Sequence, residues 1–324
     1  MNTLIRGTTL CALLLILVLA QPGSSYNILL ACFERSVALV PLAWAAGLII
    51  SCGKIDIASG ALFSVVGMIM LAWMTYLVPQ GMPLELGLLG AVFFTAMTYL
   101  IMATIIVLGR VSALLCTLSF LFLGQGISVT LNSLLKCSAY FQRLCRDREG
   151  SLTIPTDYLI DFFSRNASGV WLLVILGALM IWRYRSESGL RHIAVGMDAQ
   201  AAKIAGIKTN QIYFAAFAMS GVLVACSALI RLFAIAGGGW SPNTGWGYEL
   251  LVIASAVLGG CRITGGKFNP IVITVATVLI SAVMDAIDGA GFAVELVYPF
   301  FGLGLVVVAL LDAFVDTAHR AGRE

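Results

Sequence analysis

The sequence predicts an all-α integral membrane protein, a bundle of about ten transmembrane helices with short or broken segments near 51–64 and 237–267. Three observations predict it. Hydrophobic residues make up 60% of the 324-residue chain, and charged residues only 11%, against about 25% in soluble domains. The mean hydropathy is +1.00. The apolar residues also gather into ten stretches, most of them near the roughly 20 residues that a bilayer crossing requires: 4–20, 37–53, 57–78, 84–108, 111–131, 169–182, 212–235, 248–260, 268–289 and 293–315.

Taken in order, the first stretch has a rival reading. Arg6 followed by the apolar run Leu10–Ala20 also fits a signal peptide, but Ala20-Gln21-Pro22 is a poor cleavage pattern, so the segment is read as a retained span. The Leu-Leu-Ala-Cys sequence ending at Cys32 lies beyond polar QPGSSYN and is read as coincidence. Stretches 37–53, 57–78, 84–108 and 111–131 are ordinary candidates, followed by a polar loop over 132–168. Stretch 169–182 is short and must borrow flanking residues; 248–260 is shorter still and reads as a half-helix or broken helix. Backbone that breaks at membrane depth has to line protein or water, because lipid leaves its polar groups unpaired. One bundle uses the whole chain, so 1–324 is read as a single transmembrane domain.

With the N-terminus inside, ten spans leave both termini cytoplasmic and put twelve of the nineteen basic residues on the inner side, as the positive-inside rule asks. The loop 132–168 then faces outward, and its five bases are nearly balanced by Asp147, Glu149, Asp157 and Asp161. The polar island RYRSESGLRHIAVGMDAQAAKIAGIKTNQ, 183–211, faces the cytoplasm. Within it Asp198 stands as a helix N-cap, Ala199–Ala205 are strong helix formers and Gly206 supplies a left-handed stop. So short a helix is not stable alone. It needs a partner.

Two interruptions mark a path. In SCGKIDIASGALFS, 51–64, Lys54 and Asp56 either occupy an inner turn or face a cavity, with Ser59 and Gly60 beside them. In 237–270, Tyr248 and Glu249 open the short span and Gly259 and Gly260 close it. Glu249 either caps the helix or lines the path. GGCRITGGKF misses a phosphate-binding loop, with Cys261 and Phe268 at required positions, so no nucleotide site is expected on this chain. Asp285, Asp288 and Glu295 fit an external hairpin; read instead as ion carriers with Asp56, they would serve an ion-gradient-driven secondary transporter.

The net charge of +3 and scattered bases exclude a nucleic-acid groove. Of eight cysteines, Cys11, Cys32, Cys52, Cys116 and Cys226 lie in or beside apolar runs as small hydrophobes. Cys137 and Cys145 share the outer loop, where a disulfide is possible. Two histidines and no CxxC give no support for a metal site. No HExxH or paired-Asp arrangement suggests an intramembrane enzyme, so no catalytic residue is expected.

Three passages in register, GKIDIASGALFSVVG, LRHIAVGMDAQAAKIAGIKTNQIYFAAFAMSGVLVACSALI and GYELLVIASAVLGGCRITGGKFN, resemble the permease subunits of ribose- and galactofuranose-type sugar ABC importers, within the branched-chain amino acid and ribose permease family. The similarity extends over about 28–315. It implies a bacterial inner-membrane permease that moves a small polar solute by alternating access. Its implied partners are a cytoplasmic ATPase carrying ATP and magnesium, a second identical or paralogous permease, and an extracytoplasmic solute-binding protein. By position, Gly196, Asp198, Ala199, Ala201, Ala202, Lys203, Gly206 and Ile207 fall in the family's ATPase-coupling loop. Asp56, Ser59, Gly60, Tyr248, Glu249, Gly259 and Gly260 fall in its translocation-path segments. Lys54, Ala58 and Leu251 depart from the family pattern, where Gly, Ser and Asp are usual.

Overall fold

The computed structural model describes residues 25–137, 168–234 and 240–289. Stretches 4–20 and 293–315, Cys145 and most of the outer loop lie outside them, as does the side chain of Cys137, so the disulfide reading falls outside the described residues. Among those described there are ten α-helices: α1 Ser25–Ser51, α2 Ser59–Tyr76, α3 Leu84–Val107, α4 Ala113–Cys137, α5 Ser168–Arg185, α6 Glu187–Met197, α7 Ala199–Ile204, α8 Thr209–Ala234, α9 Tyr248–Leu258 and α10 Pro270–Gly289.

Among the described residues, four stretches are long and apolar enough to cross a membrane: Ser59–Gln80, Leu84–Val107, Ala113–Lys136 and Thr209–Phe233. The α1 helix starts twelve residues before the apolar run that announced it, because a polar residue costs a helix little when a neighbour takes it up: Arg35 bonds Asp285 of α10 at 2.8 Å. The α4 helix likewise runs on to Cys137, so the first six residues of the expected loop 132–168 are helical. The α5 helix recruits flanking residues to reach 18, whereas α9 stays at 11.

The core is built around α2, which α4, α8 and α3 pack against, while α8 also covers α1 and α3. Small residues set these approaches, as they must where lipid gives helices no hydrophobic reason to associate. Ser220 and Ser227 of α8 donate to the Ala45 and Ala38 carbonyls of α1 at 3.0 and 2.6 Å. Gly221 lies against the Thr95–Tyr99 stretch of α3. The outer faces of α3 and α4 present Leu89, Phe93 and Phe122, surfaces suited to hydrocarbon.

Candidate functional site

The helical rods are broken twice, and the two breaks meet. The chain turns at Gly53, whose φ of +71° suits glycine, and then runs without regular structure to Ala58. Within that run Asp56 is 1% exposed: its Oδ2 accepts the Tyr99 hydroxyl at 2.6 Å and its Oδ1 the Ala58 amide at 2.8 Å. A buried carboxylate is tolerable only with such partners. Lys54 stays half-buried, 5.5 Å over the Tyr213 ring. Asp56 is thus buried within protein, whereas Lys54 sits beside the turn at Gly53.

The second break, 240–247, lies along α2. Trp240 donates its indole N–H to the Ser64 carbonyl at 3.1 Å and stacks on Phe63 at 5.3 Å. Gly67 makes the room, since a Cβ there would overlap the indole. Ser64 Oγ accepts the Gly245 amide at 2.8 Å. Gly60 touches the Gly245 carbonyl and Glu249, so only glycine lets α2 and this loop approach. Glu249, in the first turn of α9, accepts the amide of the N-cap residue Gly247 through Oε1 at 3.2 Å, and the N-cap itself makes no side-chain cap bond. Tyr248 packs on Phe63, and Ser59 Oγ is buried with no partner among the described residues. Asp56, Ser59, Gly60, Tyr248 and Glu249 therefore gather around the first turns of α2. Gly259 and Gly260 do not join them: Gly259 packs on Ile273, and Gly260 turns the chain with φ +91° at the far end of α9.

The polar island forms two short helices. Ser186 caps α6, accepting from Gly189, and Asp198 caps α7, accepting from Gln200 and Ala201 at 2.8 and 3.0 Å. Gly206, φ +85°, closes α7 one residue sooner than expected. Of the loop residues, Ala202 faces inward; Ala201, Lys203 and Gly206 are exposed, and Ile204 is 89% exposed.

What anchors α6 was not apparent from sequence. His192 is buried with Nε2 2.7 Å from Ser51 Oγ and 3.1 Å from the Leu48 carbonyl, both at the end of α1. Burial, then the nearby Arg183 charge, pushes its pKa from 6.5 down to about 4 against the opposing Leu48 contact, so the ring is neutral. Gly196 lies directly on the Ser51 carbonyl and the Gly266 amide, which bond each other at 2.9 Å. The only early signal was a histidine isolated in a polar loop. Tyr99, Trp240 and the amides Gln125 and Asn243, which hydrogen-bond each other, were also missed.

The other acids are engaged elsewhere. Asp285 is not in an exposed hairpin, because α10 continues to Gly289 and Asp285 pairs with Arg35. Arg35 is sixteen residues before Ser51, about 24 Å along a helix, so Asp285 and Asp56 do not form one ion site. Asp288 and Glu295 have side chains outside the described residues. No His, Cys, Asp and Glu cluster among the described residues could hold a metal.

The family described as branched-chain amino acid transport system / permease component matches residues 28–309. The autoinducer 2 import system permease protein LsrD of Escherichia coli (strain K12) is 26% identical over 268 residues, 81% of this chain and 77% of the relative. Its Shigella flexneri counterpart is similar to the same extent, 26% over 268 residues with 81% and 77% coverage. No solved structure matches.

Proposed function

We propose, from the premise that this chain belongs to the branched-chain amino acid transport system permease component family, that it is the membrane subunit of an ATP-driven importer for a small polar solute, a sugar or sugar-like molecule. The sugar class is supported by the three ribose-type motifs and by relatives named for autoinducer 2 import. It works in a bacterial inner membrane, with both termini and the island cytoplasmic. ATP and magnesium belong to a partner ATPase, and the chain itself performs no covalent chemistry. A second permease copy or paralogue completes the path, and a binding protein delivers solute from outside.

One observation carries this reading: α7 is exposed, capped at both ends, and fastened through α6 to both breaks in the bundle. His192 and Gly196 tie α6 to Ser51, where the first break starts, and Gly266 follows the half-helix α9 that closes the second. An ATPase holding Ile204 and its neighbours in a groove would move these segments together, because a packed body shifts between discrete arrangements rather than bending. The ATPase thereby biases which end of the path is open.

The test is ATP-dependent solute uptake and ATPase copurification for Ile204→Asp and for Gly206→Val. A Cβ at Gly206 meets nothing within 4 Å, so valine there acts by straining the φ +85° turn. Both variants should reach the membrane at normal levels, lose uptake and release the ATPase. Undiminished uptake in both overturns the assignment of α7.

A further inference from the structure

Among the described residues, Gln125 and Asn243 form a hydrogen-bonded amide pair on the surface of the bundle. Gln125 lies twelve residues from each end of α4, so it is about 18 Å from both ends and at the middle of the span. It is half-exposed, and Asn243, from the loop that re-enters along α2, is exposed. Ser119, Thr130 and Ser133 on the same helix each donate back to the carbonyl four residues earlier, which makes them harmless in lipid. The two amides cannot do this. They make one hydrogen bond to each other, and among the described residues neither side chain makes another. Whichever way the amide groups are turned, one acceptor oxygen and one donor NH2 remain free side by side.

Such groups would be costly against hydrocarbon, so this face meets water or protein. The chemistry offered is a neutral donor beside a neutral acceptor. No residue charged at neutral pH occurs in α4 before Lys136 or in 240–248, so a zwitterion or an anion would leave its charges unpaired at this depth. A hydroxyl group, which both donates and accepts, fits the pair.

We infer that Gln125 and Asn243 form a solute-contacting subsite at the midpoint of the path, selecting neutral polyhydroxylated molecules. This rests on the importer reading above and extends it to named residues. The pair would hold one solute hydroxyl, or two neighbouring ones, as the solute passes between permease copies.

The test has two parts, run on the intact importer in cells. In the first, Gln125→Cys, Asn243→Cys and, as a lipid-facing control on another helix, Phe93→Cys are treated with the membrane-impermeant reagent 2-(trimethylammonium)ethyl methanethiosulfonate, and modification is read by peptide mass spectrometry. Positions 125 and 243 should react on the order of a hundredfold faster than 93, since only a hydrated, ionisable thiol reacts. Rates no faster than the control overturn the subsite.

In the second, uptake of radiolabelled D-ribose, D-galactose and L-leucine is compared. Gln125→Leu should lower apparent affinity for a transported sugar about tenfold. The exchange Gln125→Asn with Asn243→Gln keeps both amides and should restore it. A sugar affinity unchanged in Gln125→Leu overturns the subsite. Accumulation of L-leucine alone overturns its preference for hydroxylated solutes and leaves the importer intact. If none of the three accumulates by an ATP-dependent route, the importer reading loses support, and the labelling rates alone decide the subsite.

Discussion

The re-entrant breaks around α2 and the α6–α7 island use the same vocabulary, with opposite consequences. Each has a short helix, an acid at its N-terminal end and glycines at the turns. At α9 the acid is Glu249, 8% exposed, and Gly60 beside it has no space for a methyl group. At α7 the cap is Asp198, exposed to solvent, and Gly206 has nothing within 4 Å. Glycine in the first place permits close approach; in the second it permits a left-handed turn. The breaks are therefore held by packing, and the island by caps and by its attachment to α1.

The comparison is broken most severely from the inside. Gly60→Ala drives a Cβ into the Gly245 backbone and Glu249, and should cost more than about 3 kcal/mol, read as loss of monodisperse protein in detergent. Gly206→Ala, the matching change on the island, should leave that profile intact. Equal behaviour of the two would erase the distinction.

Acid should act on the island's anchor. His192 is neutral in the fold with a pKa of about 4, against 6.5 when released. Between those values the detached state binds a proton that the packed state does not, so stability rises with pH across the window. The contribution, about 3 kcal/mol, is complete above pH 6.5 and lost as pH falls to about 4. Hydrogen exchange in α6 should rise over that interval, and His192→Gln should flatten the response. An equally steep acid response in His192→Gln assigns the titration elsewhere.

Tyr99→Phe removes the hydroxyl that bonds Asp56 at 2.6 Å. It should destabilise the first break by about 1–3 kcal/mol, seen as a lower melting temperature, with α7 exchange unchanged. Asp198→Ala should be the mildest change, about 1 kcal/mol. It releases two amides of α7 and should speed exchange there without moving the melting temperature.

Much of the island was legible in the sequence, because caps and stops act within a few residues: Asp198 bonds Gln200 and Ala201, and Gly206 closes a turn begun at Lys203. The half-helix α9 was legible for a similar reason, its apolar run being simply too short. The breaks could be located but not interpreted. Whether Asp56 and Lys54 were buried depended on Tyr99 and Tyr213, far away in the chain. Asp285 was misread because its partner Arg35 lies on another helix, and local composition resembled a hairpin.

By itself the sequence determined that the chain belongs in a membrane, where most of its helices lie, and that one short capped helix stands apart from them. Hydropathy and capping are local properties that each segment carries alone. Only the tertiary structure decided which charges are buried, what fastens α6 and α7 to the bundle, and that Gln125 meets Asn243. These depend on contacts more than a hundred residues apart, such as His192 with Ser51 and Trp240 with Ser64, and no local pattern specifies the partner in such a contact.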